Sequence, residues 1–211
     1  MAEFKTLLDH SEFHMIEKRS EFIGYAFPCK TVERANELID QIKQKHSDAT
    51  HNVFAYILRD NNTARFSDDG EPHGTAGVPV LEVIRKEGII DALIVVTRYF
   101  GGTLLGAGGL VRAYSAAAKG AIDLAGSCVL VPYVDIIVKC EYQDYGKVEY
   151  EMGKMQIEIS NTEFTDKVSI TLHFPETELL QVEKKLNEIL CNSKKYFPES
   201  KGTRKGEGST S

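Results

Sequence analysis

The chain has 211 residues, 42% of them hydrophobic and 27% charged, with a net charge of −6. That length accommodates one large domain or two small ones, each with a buried core, and the composition is that of an ordinary water-soluble fold. Charge is spread evenly, with 14 Lys+Arg against 17 Asp+Glu through residue 133 and 11 against 14 after it. Neither part has the basic excess typical of a nucleic-acid-binding domain, which leaves only a local basic patch open.

No apolar run approaches the roughly 18 residues needed to cross a bilayer. The opening MAEFKTLLDHSEFHMIEKRS lacks the apolar core and small-residue cleavage site of a signal peptide. A cytoplasmic protein without a membrane partner is expected. Cys29, Cys128, Cys140 and Cys191 form no CxxC pair and sit beside apolar residues, so they read as small core hydrophobes rather than disulfides or zinc ligands.

From Glu12 to Phe27 the apolar residues alternate as two strands around the turn KRSE, and Thr31 then stands as N-cap before the helix VERANELIDQIKQKH. VFAYIL reads as a short strand, and DNN as a turn into a second one that ends near Phe66. Pro79 fits the first position of a short helix stopped by Gly88. IIDALIVVT is β-branched and almost wholly apolar, as a strand covered on both faces must be. A glycine run follows and opens the helix GLVRAYSAAAKGAIDLA, which Gly126 ends. CVLVPY is a further strand with a boundary at Pro132.

Beyond it come a strand (VDIIVKCEY), a helix (DYGKVEYEMGKM), two strands (QIEISNTEF, KVSITLHF), an amphipathic helix (ETELLQVEKKLNEILC) and a last strand beginning at KKYF. That order is the ferredoxin-like βαββαβ pattern. The expected fold class is therefore α+β, with domains at residues 1–133 and 134–198. A tail, 199–211, lacks apolar residues and reads as mobile.

Two stretches carry the chemistry. In TRYFGGTLLGAGGLVRAY a buried strand runs through Gly101, Gly102, Gly106, Gly108 and Gly109 into a helix, which aims backbone N–H groups and the positive dipole end at one place. The run matches neither GxGxxG nor the P-loop, so anion binding and close packing both account for it. Arg112, in what reads as the first helical turn, opposes the dipole unless it meets an anion. With Arg98 at the strand end and Lys119 on the same helical face, it suits phosphate.

The second stretch, SDDGEPHGTAG, holds Asp68, Asp69, Glu71 and His73, which together suggest either a divalent-cation site or plain turn chemistry. His51 is a general-base candidate. No elbow serine or activated cysteine is present, and no metal or cofactor is expected.

SDDGEPHGTAGVP, VVTRYFGGTLLGAGGLVRAY, KRSEFIG and DATHN together resemble the IMPACT family, in its bacterial YigZ/YvyE-like group. The resemblance implies a first domain, residues 1 to about 133, with the fold of domain IV of elongation factor G, and a small second domain like domain V of that factor. It also implies a link to translation, because the eukaryotic relative regulates it through protein partners. No catalytic residue is carried over.

The expectation is therefore a translation-associated protein that binds ribosomal RNA, a ribosome-associated protein or another phosphate-bearing partner. Its contacts would be Arg98, the five glycines, Arg112 and Lys119. The alternatives are a metal-assisted enzyme for a small phosphorylated or nucleotide ligand, using His51, Asp68, Asp69, Glu71 and His73, and a protein-docking module.

Overall fold

A computed structural model of the chain describes residues 3–190 and 196–205. Among the described residues it divides into two compact units, one spanning Phe4–Val129 and the other made of Glu3 and 130–205.

The first unit contains β1 (Phe4–Leu7), β2 (Ser11–Glu17), β3 (Ser20–Pro28), α1 (Val32–Lys45), β4 (His51–Leu58), β5 (Thr63–Ser67), α2 (Gly77–Glu87), β6 (Ala92–Tyr99) and α3 (Ala107–Ala125). Its sheet has the order β2-β3-β6-β4-β5, and all neighbouring pairs are antiparallel. β6 lies at the centre and is buried from Ala92 through Arg98. Alternation along it divides the core. Ala92, Ile94 and Val96 pack under α2 and α3, while Leu93 and Val95 pack under α1 with Tyr25, Tyr56 and Ile39.

The helix ends follow their capping chemistry. Thr31 Oγ1 accepts the Arg34 N–H at 3.2 Å at the start of α1, and Gly88 closes α2 at φ 66°. β6 begins later than its apolar run because Asp91 is turned to φ 56° and accepts two bonds from Arg59, at 2.9 Å from the backbone N–H and 2.6 Å from Nε. Aspartate tolerates that left-handed conformation. β1 is a further strand, too short to leave a periodic signal.

The second unit is built from β7 (Ser127–Cys140), α4 (Tyr142–Lys154), β8 (Glu158–Phe164), β9 (Val168–Pro175), α5 (Leu179–Ile189) and β10 (Tyr196–Lys205). β10, β7, β9 and β8 follow one another in the ferredoxin-like arrangement, and β7, whose first residues Ser127–Val129 belong to the first unit, also pairs with β1 in the same sheet. Val134, Ile136 and Val138 of β7 face Val148, Met152, Val182 and Leu186 of the helices.

Two expectations change here. Pro132 does not divide two strands: β7 runs through it, because the β9 ladder begins only at Tyr133 and a missing N–H at Pro132 interrupts nothing on that side. The tail expected to be mobile from Glu199 is instead strand as far as Lys205, with Ser200–Lys205 pairing along Asp135–Leu130 of β7. Ladder bonds are made by the main chain, so a polar sequence does not prevent them. Residues 206–211, like Cys191, lie outside the described residues. Cys29 and Cys140 are buried and Cys128 is half-buried.

Candidate functional site

Strand register creates the site. Arg98 stands opposite Phe22 of β3 on one side and His51 of β4 on the other, so all three side chains share the face of the sheet that α2 and α3 cover. After Tyr99 the glycine run crosses this end of the sheet. Phe100 N–H donates to Thr50 Oγ1 at 3.0 Å, and Gly101 N–H donates to Ser20 Oγ at 3.2 Å. At Gly101 the loop presses onto the β2–β3 turn so closely that a Cβ would lie 1.9 Å from the Arg19 carbonyl oxygen. At Gly106, φ is 74°, and α3 starts immediately afterwards without a side-chain cap. The first intrahelical bond is Leu110 N–H to Gly106 O at 3.0 Å, so the N–H groups of Ala107, Gly108 and Gly109 point out of the helix end.

The SDDGEPHG loop closes the other side. Between the two loops lies a cleft of about 410 Å³ lined by Thr50, His51, Gly70, Glu71, Pro72, Arg98, Phe100, Leu104, Leu105, Gly106, Ala107 and Leu110. The two motifs are walls of one cavity.

Within it the charges are committed. Arg98 Nη1 donates to Glu71 Oε1 at 2.6 Å and Nη2 to Ser20 Oγ at 3.3 Å, and the Tyr114 hydroxyl donates to the same Glu71 oxygen at 2.8 Å. Burial, then the Glu71 charge, pushes the Tyr114 hydroxyl far above its ordinary range. Arg98 Nε is buried with no partner among the described residues. His51 Nδ1 faces the Asp69 carbonyl oxygen at 2.8 Å, so it must carry the proton; Nε2 is turned toward Glu71 Oε1, 3.8 Å away.

The other acidic residues do not converge on a cation. Asp68 accepts the backbone N–H groups of Gly74, Ala76 and Gly77 at 2.9, 3.2 and 2.8 Å, which shapes the loop and caps α2. Burial would raise its pKa, but those three bonds outweigh burial and hold it below the ordinary value. Asp69 accepts from Asn52 N–H at 2.7 Å and Lys43 Nζ at 3.2 Å. The His73 side chain is 97% exposed. No group of three metal-ligating side chains occurs among the described residues.

The expected cations also separate. Lys119 is held by Asp123 and Glu87 at the far end of α3 from the glycine loop. Arg112 lies in the second turn, not the first, because α3 begins at Ala107; its conflict with the dipole is correspondingly weaker. It lines a neighbouring hollow of about 210 Å³ with Lys18, Glu17, Met15 and Gly109. Gly102 and Gly108 are exposed on the loop and the first helical turn. Tyr114, Ser20, Lys18 and Phe100 belong to the site although they were not among the expected site residues; they lie within the KRSEFIG and TRYFGGTLLGAGGLVRAY stretches, and Tyr114 also places a hydroxyl on an otherwise apolar helical stripe.

This chain matches the family model of the Impact N-terminal domain over residues 18–122, and that of a domain of unknown function, DUF1949, over 138–191. It is 34% identical over 204 residues to the IMPACT family member YvyE of Bacillus subtilis (strain 168), covering 96% of this chain and 94% of the relative. It is 32% identical over 175 residues to the IMPACT family member YigZ of Escherichia coli (strain K12), covering 82% and 86%. A solved structure described as that of a hypothetical protein aligns with a TM-score of 0.63 at 28% identity, covering 95% of this chain and 98% of the other. With relatives of this identity along nearly its whole length, the chain belongs to the IMPACT family.

Proposed function

We propose that this protein is a translation-associated binding protein that holds RNA, the ribosome or another phosphate-bearing partner at the glycine-rich start of α3. Family membership supports the link to translation. The observation that carries the binding surface is the uncapped start of α3 beside three exposed cations, Lys18, Arg19 and Arg112, none of which has an ion pair among the described residues. Lys18 and Arg19 are brought there by the packing of Gly101 on the β2–β3 turn. Outward N–H groups and nearby cations favour phosphate even on a chain of net charge −6.

In this reading Arg98 supports the surface rather than contacting the backbone of a nucleic acid, because Glu71 already neutralises it. The metal-assisted alternative has less to support it, since Asp68, Asp69 and Glu71 each serve a different set of protein donors.

Filter binding of single-stranded RNA and co-sedimentation with ribosomes test the reading. Log K should fall linearly with log salt, by about 0.7 for each phosphate contact. The Lys18→Glu, Arg112→Glu double variant should bind at least tenfold more weakly and with a shallower slope. No binding at low salt, or binding unchanged in the double variant, overturns it.

A further inference from the structure

We propose that the cleft between the two loops is a pocket for one phosphate-bearing nucleotide unit, with its phosphate against the start of α3 and its base against Phe100. This rests on the reading above only in placing phosphate at α3.

Four observations converge on it. The cavity of about 410 Å³ falls within the range of small-ligand sites, roughly 300–1,000 Å³, so it has room for a ligand larger than an anion alone. Gly106 and Ala107, where the outward N–H groups begin, form part of its wall. Phe100 and Leu104 are 45% and 83% exposed at the same cavity, and the Arg98 guanidinium lies 5.4 Å from the Phe100 ring centre. A flat ring backed by a cation and open on a cavity is a stacking platform for a base. Finally, Arg98 is only 5% exposed, lines the cleft and keeps a buried Nε without a partner among the described residues.

His51 completes the recognition. Its Nδ1 donates to Asp69 O, which turns Nε2 toward Glu71 Oε1 at 3.8 Å, beyond direct hydrogen-bond distance. The Glu71 carboxylate beside it accepts from a donor such as a sugar hydroxyl or a base N–H. Inorganic phosphate supplies no ring to stack on Phe100.

Titration of the full chain by NMR with nucleoside 5′-monophosphates, inorganic phosphate and an unstructured octaribonucleotide tests the proposal. Nucleoside monophosphates should shift resonances of Thr50, His51, Phe100 and Ala107 and bind at least tenfold more tightly than inorganic phosphate. Phe100→Ala should weaken them by roughly five- to hundredfold, the range that loss of one stacked base implies. Phe100→Leu, which keeps an apolar side chain in place, should behave in the same way.

If the octamer binds much more tightly than the monophosphate through the same residues, the natural source is single-stranded RNA; equal affinity identifies free nucleotide. Both outcomes support the pocket. Absence of monophosphate binding at millimolar concentration, or binding indifferent to both Phe100 variants, overturns it. RNA binding that is lost in Lys18→Glu, Arg112→Glu but unaffected by Phe100→Ala sinks the pocket and leaves the surface reading standing.

Discussion

Arg98 and Glu71 form an ion pair of 2.6 Å with side chains only 6% and 3% exposed, which joins the end of the central strand to the loop before α2. The pair replaces solvation that both groups have lost, so its net contribution is small, but each partner depends on the other. Arg98→Ala should destabilise the first unit by about 3–5 kcal/mol, because a buried carboxylate is left without its cation. The double variant Arg98→Met, Glu71→Leu should recover a large part of that loss. Urea unfolding of the two variants checks this, and equal loss in both would show that the charge is not the cause.

Tyr114 contributes the second donor to the same carboxylate oxygen at 2.8 Å and packs edge-to-face on Phe22, with ring centres 5.3 Å apart. Tyr114→Phe retains the ring contact and removes only the hydroxyl. The expected cost is about 1–3 kcal/mol, the range for a buried acceptor that loses one partner. Introduced into the Glu71→Leu background, the same substitution should cost much less. A double-mutant cycle from unfolding free energies measures the difference.

The elements of this fold were legible where local chemistry decides them. Thr31, Gly88 and Gly126 end or begin helices for reasons contained within a few residues, and the apolar run of β6 announces burial on both faces. Pairing across long separations was not legible. Arg98 resembles a free cation in the sequence because Glu71 lies 27 residues earlier, and only the register of β3, β6 and β4 brings them together. The same applies to β10, whose polar residues from Ser200 are ordered by the main chain of β7. Arg112 was displaced by a boundary, since Ala107 and Gly108, which read as loop, belong to the first turn of α3.

Asp68 shows how an acidic motif can be structural. Its carboxylate gathers three backbone N–H groups, two of them at the start of α2, where no other side chain caps the helix. Asp68→Ala should cost about 1–2 kcal/mol. Asp68→Asn, which retains one acceptor oxygen, should cost less. Because the folded pKa is depressed, this contribution is present above the unfolded value of 3.8 and is lost as pH falls through the folded one. Added magnesium or calcium should leave the unfolding midpoints of wild type and both variants unchanged; a metal-dependent rise in wild type alone would restore the cation-site reading.

On the opposite face of the sheet, His46 sits in a directed chain of hydrogen bonds. Lys45 Nζ donates to the Tyr25 oxygen at 3.1 Å, Tyr25 donates to His46 Nε2 at 2.6 Å, His46 Nδ1 donates to the Tyr99 oxygen at 2.8 Å, and Tyr99 donates to Asp48 at 3.1 Å. Directed this way, the chain holds a neutral imidazole. Burial, reinforced by the Lys45 charge, holds the His46 pKa below its ordinary 6.5. Acidification through 6.5 protonates this histidine in the unfolded chain before it does so in the folded one, so stability should decline from pH 6.5 downward until the folded pKa is passed. His14 acts in the opposite sense: bonded first to Glu12, its pKa is raised, and its contribution disappears only as pH rises above 6.5. Glu12, lowered to about 2 chiefly by Lys45, adds its own loss below 4.5. The decline between pH 6.5 and 4.5 therefore belongs to His46 among these three groups. His46→Gln, whose amide can accept from Tyr25 and donate to Tyr99 without titrating, should flatten the pH dependence of the thermal midpoint in that window while leaving the fall below pH 4.5 in place. An unchanged slope in the variant would show that the chain of tyrosines does not hold His46 neutral.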